Sequence, residues 1–270
     1  MVPRCSCPTP AWALPKTCSS RRRERLPKPK SPVPPPNRRS PICWPKIVAY
    51  LRGCGALIES QPDGAILVQG REALTGCCCH AILPDRIEAA TYLAAAAITG
   101  GEITVYASPE HLAAPMAALR RMGCRITTGE QSITLTAPEH LQGAGSIVTL
   151  PYPGFPTDLQ AIFMALAAAA EGYTAFTETV FPRRWAHVEE LRRLGADITV
   201  VGSHAVIRGA PLIGSALTCT DLRAGAAVVL AALAAKGESS VTAISHIERG
   251  YADFVPALRH LGADICLTEV

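Results

Sequence analysis

Residues Pro151 to His187 read PYPGFPTDLQAIFMALAAAAEGYTAFTETVFPRRWAH, and the other parts of the chain are best interpreted from this stretch. A loop rich in Pro and Gly stops at Thr157, and an alanine-rich run then continues as far as Gly172. Polar residues at the start and a glycine just past the end are typical of a helix. Asp158 is therefore predicted at or next to the helix N-terminus, where the helix dipole favours an ionised carboxylate by ~0.3–1 kcal/mol.

A predicted strand and a basic turn follow this helix. Tyr173 to Val180 contains three threonines, two aromatic residues and a valine, which favours a strand. Arg183, Arg184 and His187 come next, at the start of an amphipathic segment. A helix N-terminus, an aspartate and two adjacent arginines together indicate a site for an anionic substrate that carries hydroxyl groups.

The same pattern occurs on both sides of this stretch. Asp85 precedes a helical segment from Ile87 to Ile98, and Asp221 precedes one from Ala224 to Ala235. Each unit closes with a helix end, a glycine and a predicted strand. These glycines recur every 67 to 72 residues, at Gly55, Gly123, Gly195 and Gly262. A unit of two strand regions and two helices therefore repeats three times from residue 83 onward.

The three alanine-rich helices share an acidic N-terminal turn. The acidic residues are Asp85, Asp158 and Asp221. If rotation relates the units, the positive ends of these helices converge on one face, which would attract anions without a bound metal. The alternative is that the aspartates act only as N-caps, and Asp85 is interpreted in that way.

Composition separates residues 1–46 from the rest of the chain. This leader holds eleven Lys and Arg against one acidic residue, a net charge of +10, whereas the remainder carries −6. Twelve of the 23 prolines also lie in it. Taken as a functional segment, the leader could be a nucleic-acid or export patch or a polyproline ligand. Its composition is also that of a disordered tail.

Several classes of protein are disfavoured by the sequence. No apolar run is long enough to span a membrane, so no membrane partner is expected. The eleven cysteines follow no paired spacing and no secretory segment precedes them, which predicts a reduced, cytoplasmic protein. The run from Cys77 to His80 lacks the spacing of a metal site, so we expect neither a metal nor a cofactor. Four histidines are interpreted as structural or solvated: His187, His204, His246 and His260.

Five short motifs, in this order, resemble those of the enolpyruvyl transferases, and in particular of UDP-N-acetylglucosamine 1-carboxyvinyltransferase. They are LPDRIEA, FPTDLQA, TETVF followed by R and HV, CTDLRA and H-I-x-R-G-Y, all within residues 47–270. The resemblance implies an α/β fold in which each domain is an inside-out α/β barrel of three βαβαββ repeats. It further implies that residues 47–83 are a remnant of the first domain and that residues 84–270 form the second.

The same resemblance bears on the leader. If the leader is written with permitted codons and translated in a shifted reading frame, it gives an amino-acid sequence similar to the family's SVGATEN and EPEI stretches. Tryptophan has a single codon, so the shifted reading allows no choice at Trp12 and Trp44. At both positions it gives the residues that the family's sequence requires. We therefore hypothesise that residues 1–46 are an out-of-frame translation and expect no nucleic-acid partner.

The family's activity implies roles for particular residues. It transfers the enolpyruvyl group of phosphoenolpyruvate to the 3'-hydroxyl of UDP-N-acetylglucosamine and releases phosphate. By motif, Asp158 would be the base and a sugar contact, and Val180 would contact the nucleotide sugar through its backbone. Arg184 or Arg183 would hold a phosphate or carboxylate, and the spacing to His187 favours Arg184. Arg223 and Arg249 would do the same or close the cleft, with Asp221 supporting that face.

One departure from the family concerns the general acid. In the family this acid is a cysteine on a loop of the first domain, upstream of anything that matches here. We therefore expect an isolated chain that is inactive although it descends from an enzyme. Alternatives are an enolpyruvylshikimate phosphate synthase-like enzyme and a non-catalytic remnant or interaction module.

Overall fold

A computed structural model describes residues 43–60, 66–70, 73–76 and 79–268. Residues 1–42 of the proposed leader, together with Cys77 and Cys78 of the cysteine run, lie outside the described residues. The first described helix begins at Cys43, so the last four residues assigned to the leader form the start of that helix.

The described elements alternate between helices and strands along the chain. The helices are α1 (Cys43–Gly53), α2 (Arg86–Thr99), α3 (Ala113–Arg121), α4 (Gln160–Ala169), α5 (His187–Arg193), α6 (Leu222–Ala234), α7 (Ser245–Glu248) and α8 (Phe254–His260). The strands are β1 (Leu57–Ser60), β2 (Ile66–Gln69), β3 (Glu102–Val105), β4 (Arg125–Thr128), β5 (Ile133–Thr136), β6 (Gly145–Val148), β7 (Tyr173–Thr177), β8 (Asp197–Val201), β9 (His204–Arg208), β10 (Ala216–Thr218) and β11 (Ser240–Thr242). Short 3-10 helices precede α3, at Pro109–Leu112, and α4, at Thr157–Leu159. This order confirms the α/β class.

The second repeat is the most complete of the three. Its sheet has the strand order β6-β7-β9-β8, in which β6 and β7 are parallel and joined through α4. The strands β8 and β9 form an antiparallel hairpin whose second strand pairs with β7. The first repeat has the antiparallel order β3-β5-β4, and the third has the parallel pair β10-β11, which is joined through α6.

The strand predicted after Gly262 is wrong. In the second repeat, Gly195 leads into β8, but residues 263–268 are in no strand. A strand needs a neighbour that accepts and donates its ladder hydrogen bonds. No described strand pairs with this segment, and the sheet of the third repeat consists of two short strands where the second repeat has four.

The alanine-rich helices α2, α4 and α6 pack against one another at the centre of the fold. Most of their residues are buried, as expected for helices that are largely apolar on every side. Small alanine side chains allow helix axes to approach closely. The sheets lie outside this bundle and bury one face each, as the alternating exposure along β5 and β9 shows.

The starts of these helices lie close together, as the repeat predicted. The 3-10 helix before α4 contacts α2. Near the start of α2, the Thr91 hydroxyl bonds that of Tyr251 at 2.8 Å, and the Arg223 guanidinium near the start of α6 lies 5.2 Å from the centre of the Tyr251 ring. The N-terminal ends of the central helices thus form one polar region.

Candidate active site

The three aspartates at the helix starts have different partners. Asp85 and Asp221 are N-caps: each carboxylate accepts hydrogen bonds from two backbone N–H groups of the helix that follows. Asp158 lies inside the 3-10 helix Thr157–Leu159, whose N-cap is Pro156, and its side chain caps no helix. The possibility that Asp158 serves only as an N-cap is therefore wrong, and its carboxylate is free to bind other groups.

Asp158 pairs with an arginine from the segment after β7. The Nη1 of Arg184 donates to Asp158 Oδ1 at 2.7 Å and to Thr157 Oγ1 at 3.2 Å. Arg183 is exposed, so the fold selects Arg184 from the two adjacent arginines. The Asp158 side chain remains 43% exposed and that of Arg184 24% exposed, which leaves the ion pair open to solvent on one side.

A second carboxylate, Glu178, lies directly behind this pair. The strand predicted for Tyr173 to Val180 ends at Thr177, and the chain then turns around the fully buried side chain of Glu178. Its Oε1 accepts from the Thr149 hydroxyl at 2.8 Å and from the N–H groups of Val180 and Phe181 at 2.8 and 2.9 Å. Its Oε2 accepts from the Thr157 hydroxyl at 2.9 Å.

His187 lies between the Asp158 pair and the start of α6. Its ring is buried, and Nε2 lies 3.0 Å from the sulfur of Met164. Because a thioether carries no hydrogen, Nε2 must be the donor in this contact. Burial is the main cause that lowers the pKa of His187 to about 4; within this shift Asp221 acts in the opposite direction and nearby Arg184 in the same direction as burial. His187 is thus a structural residue that is neutral at pH 7.

Arg223 occupies the other half of this polar region, near α2. Its guanidinium lies over the Tyr251 ring, and its Nη1 is buried without a hydrogen-bond partner among the described residues. Burial raises the pKa of Glu88, next to it, and Asp85 raises that pKa further while Arg223 lowers it. A buried N–H without a partner is costly, so this donor is available to an incoming acceptor.

The two remaining predicted residues, Val180 and Arg249, make no side-chain contact with the Asp158–Arg184 pair among the hydrogen bonds and ion pairs of the described residues. Val180 is half-buried and its N–H is bonded to Glu178. Arg249 is exposed at the end of α7, and its side chain makes no hydrogen bond or ion pair with any described residue. The structure therefore brings Arg184 to Asp158, places His187 near Asp221, and leaves Arg249 apart from both.

Sequence reasoning missed two polar residues of this region. Glu178 interrupts a threonine-rich strand pattern, and Gln160 is the polar first residue of the otherwise apolar helix α4. Gln160 is fully buried, and neither of its amide atoms has a partner among the described residues. The available signal was a polar residue in an apolar helix for Gln160 and a charged residue within a strand pattern for Glu178.

Chemically, the arrangement combines a base, cations and directed backbone groups. Asp158 can accept a proton from a hydroxyl group, and Arg184 can hold its carboxylate in place. Arg223 and the helix starts can bind anionic groups. No group of three or more metal-ligating side chains occurs in the described part of the chain, and no described helix is long and apolar enough to cross a membrane.

Comparisons with known proteins agree on one family. The sequence profile of EPSP synthase (3-phosphoshikimate 1-carboxyvinyltransferase) matches residues 45–258. UDP-N-acetylglucosamine 1-carboxyvinyltransferase 1 of Symbiobacterium thermophilum is 46% identical over 226 residues, which cover 82% of this chain and 51% of that protein. The enzyme of the same name from Magnetococcus marinus is 46% identical over 217 residues, or 80% of this chain and 52% of that protein.

Solved structures give the same result at the level of the fold. The enolpyruvyl transferase NikO from Streptomyces tendae superposes with a TM-score of 0.71 at 30% identity, over 82% of this chain and 53% of that one. An EPSP synthase from Acinetobacter baumannii superposes with a TM-score of 0.61 at 20% identity, over 82% and 54%. The chain thus spans about half the length of the curated relatives it matches.

Proposed function

Because the chain belongs to the EPSP synthase family of enolpyruvyl transferases, we propose that it supplies one half of a UDP-N-acetylglucosamine 1-carboxyvinyltransferase. That enzyme transfers the enolpyruvyl group of phosphoenolpyruvate to the 3'-hydroxyl of UDP-N-acetylglucosamine and releases phosphate, the first committed step of peptidoglycan synthesis in the cytoplasm. The observation that carries the proposal is Asp158, a half-exposed carboxylate held by Arg184 and freed from capping its helix.

In this proposal Asp158 acts as the general base. It binds the sugar 3'-hydroxyl and takes its proton while the hydroxyl oxygen adds to C2 of phosphoenolpyruvate and the methylene carbon gains a proton. The tetrahedral adduct then loses phosphate, and the methyl group formed at C3 gives up a proton to restore the vinyl group. Arg184 keeps Asp158 oriented, because its Nη1 donates to Oδ1 of Asp158 at 2.7 Å.

The anionic parts of the substrates would be held by the other predicted residues. Arg223 offers a buried Nη1 that has no partner, and Asp221 fixes the first turn of α6, which carries Arg223. Arg249 is exposed and would reach phosphate or carboxylate once the cleft closes. Val180 would contact the nucleotide sugar through its backbone.

The two-domain division is part of the same proposal. Residues 47–83 would belong to the first domain and residues 84–270 to the second. Helix α1 and the hairpin β1-β2 pack together, and β1 and β2 pair only with each other among the described strands. In the family the general acid is a cysteine of the first domain. We therefore propose that residues 84–270 bind the nucleotide sugar and that turnover also requires the first domain.

The alternative substrate is shikimate 3-phosphate. The structural likeness to EPSP synthases is at 20% identity and shows only the fold, whereas relatives at 46% identity carry the nucleotide-sugar name. The FPTDLQA motif around Asp158 also favours the nucleotide sugar. The described residues offer no separate observation in favour of shikimate 3-phosphate.

Ligand-dependent thermal unfolding of the full chain tests the proposal. A ligand at ten times its dissociation constant stabilises the folded state by roughly 1.4 kcal/mol, enough to raise the melting temperature. We expect UDP-N-acetylglucosamine to produce this rise, shikimate 3-phosphate to produce none, and Asp158→Asn to abolish it. Asp197→Asn, which changes an exposed aspartate at the start of β8, is the matched control. The proposal fails if UDP-N-acetylglucosamine leaves the melting temperature unchanged.

A further inference from the structure

Glu178 is a buried carboxylate without a cationic partner. It is 0% exposed, and it takes part in no ion pair with any described residue. An isolated buried charge is strongly unfavourable unless hydrogen bonds satisfy it. Here two hydroxyls and two backbone N–H groups do so, all at 2.8 to 2.9 Å. A buried carboxylate with four hydrogen-bond donors, beside the Asp158–Arg184 pair, is well placed to orient the groups that bind it.

We propose that Glu178 is a positioning residue that sets the geometry of Asp158 and Arg184 through Thr157. The Thr157 hydroxyl has one proton, which it donates to Glu178 Oε2 at 2.9 Å. Its lone pairs then face Arg184, whose Nη1 donates to the same oxygen at 3.2 Å and to Asp158 at 2.7 Å. Glu178 therefore holds the Thr157 proton on its own side, which leaves the lone pairs of Oγ1 directed toward Arg184.

The other oxygen of Glu178 orders the turn that leads to Arg184. The N–H groups of Val180 and Phe181 both point at Oε1, so the backbone between β7 and Arg184 is tied to the buried carboxylate. Because the Val180 N–H is occupied, Val180 can offer a ligand only its carbonyl oxygen. The ligand group that binds there must be a donor, either a hydroxyl or an amide N–H.

This inference rests on the proposed function for its ligand, but its first test needs none. Glu178→Gln keeps the shape of the side chain and replaces one acceptor oxygen by an NH2 donor. With Oε1 still required by three donors, the new NH2 group faces Thr157 and donates to its hydroxyl. The Thr157 proton then loses its acceptor at Oε2, so the hydroxyl must turn away from its present orientation and its contact with Arg184 weakens.

Nitrogen-15 NMR of the arginine side chains reads this contact directly. In the unmodified chain we expect separate, slowly averaging Nη signals for Arg184, assigned by their loss in Arg184→Lys. In Glu178→Gln these signals should average, and in Glu189→Gln, which changes an exposed carboxylate on α5, they should not. Unchanged Arg184 signals in Glu178→Gln would overturn the inference. Glu178→Asp, which keeps the charge but shortens its reach, provides the same test if Glu178→Gln does not fold.

Thr157 variants distinguish an effect of Glu178 on Arg184 through the Thr157 hydroxyl from a general loss of stability. Thr157→Ser keeps the hydroxyl and should retain the Arg184 signals, whereas Thr157→Val should average them. The double variant Glu178→Gln/Thr157→Val should behave as Thr157→Val alone, since both changes remove one interaction. Arg184 signals that stay separate in Thr157→Val would show that Glu178 does not act on Arg184 through Thr157.

Ligand binding gives the second test. We expect Glu178→Gln to weaken UDP-N-acetylglucosamine binding at least tenfold and Glu189→Gln to leave it unchanged. Undiminished binding in Glu178→Gln would contradict the positioning role. If the unmodified chain binds no UDP-N-acetylglucosamine, the proposed function fails, while the NMR signals of Arg184 still decide the role of Glu178.

Discussion

Protonation of His187 should destabilise this fold as the pH falls. The ring is buried among apolar side chains, with Nε2 against the sulfur of Met164 and Arg184 nearby, and these surroundings lower its pKa to about 4. In the unfolded chain the pKa returns to the ordinary value of 6.5. Between these values the unfolded state binds a proton that the folded state does not, so stability increases with pH in this range and is fully present above it.

The size of the effect follows from these two pKa values. The linkage relation gives a loss of about 2 kcal/mol between pH 7.5 and pH 5.0 and a limit of about 3 kcal/mol below pH 4. Such a loss is a large fraction of the total stability of a typical domain, roughly 5–15 kcal/mol. The Arg184 charge acts in the same direction as burial, while Asp221 opposes them.

Urea unfolding at pH 7.5 and 5.0, followed by circular dichroism, measures this loss. Other groups also titrate in this range, so the informative quantity is the difference between variants. His187→Phe keeps a buried ring without a titratable group, and its stability should fall by about 2 kcal/mol less between the two pH values than that of the unmodified chain. His260→Gln, at an exposed histidine of α8, should match the unmodified chain. An equal pH dependence for His187→Phe and the unmodified chain would refute the reasoning.

Three further predictions concern residues around the polar region. Asp85→Ala removes an N-cap and should lower the free energy of unfolding by about 1 kcal/mol in urea without changing the thermal response to UDP-N-acetylglucosamine. A lost ligand response would instead place Asp85 in the site. Tyr251→Phe removes a buried hydrogen bond to α2 and should cost about 1 kcal/mol in the same urea assay, and an equal stability would contradict the contact. Burial raises the pKa of the Cys124 and Cys219 thiols to about 11, so both should resist iodoacetamide at pH 8 until urea is added, whereas exposed Cys266 should react at once. Rapid labelling of either buried thiol in the folded chain would show that it is accessible.

The sequence predicted the central helices and their repetition well. A cap, an apolar run and a terminal glycine are local signals, and the observed start of α2 after Asp85 and of α6 after Asp221 follows them closely. The pairing of Asp158 with an arginine after β7 could also be expected, because helix, strand and basic turn are consecutive. The resemblance of the motifs supplied the family, which the comparisons show.

Other features depended on contacts between residues far apart in the chain. The Tyr251 hydroxyl meets Thr91, 160 residues away, and the deep burial of His187 results from α4 and α6 packing around it. The strand predicted after Gly262 did not form, since a strand depends on a neighbour that its own sequence does not specify.

By itself, then, the sequence determined where helices start, where the repeats lie and which residue types meet the helix ends, because each of these is set by neighbours within a few residues. The tertiary structure alone decided that Asp158 is not a cap and that Glu178 supports the pair of Asp158 and Arg184, whereas spacing in the sequence already favoured Arg184 over Arg183. Those outcomes depend on burial and on hydrogen bonds across 21 to 30 residues, which no local pattern encodes.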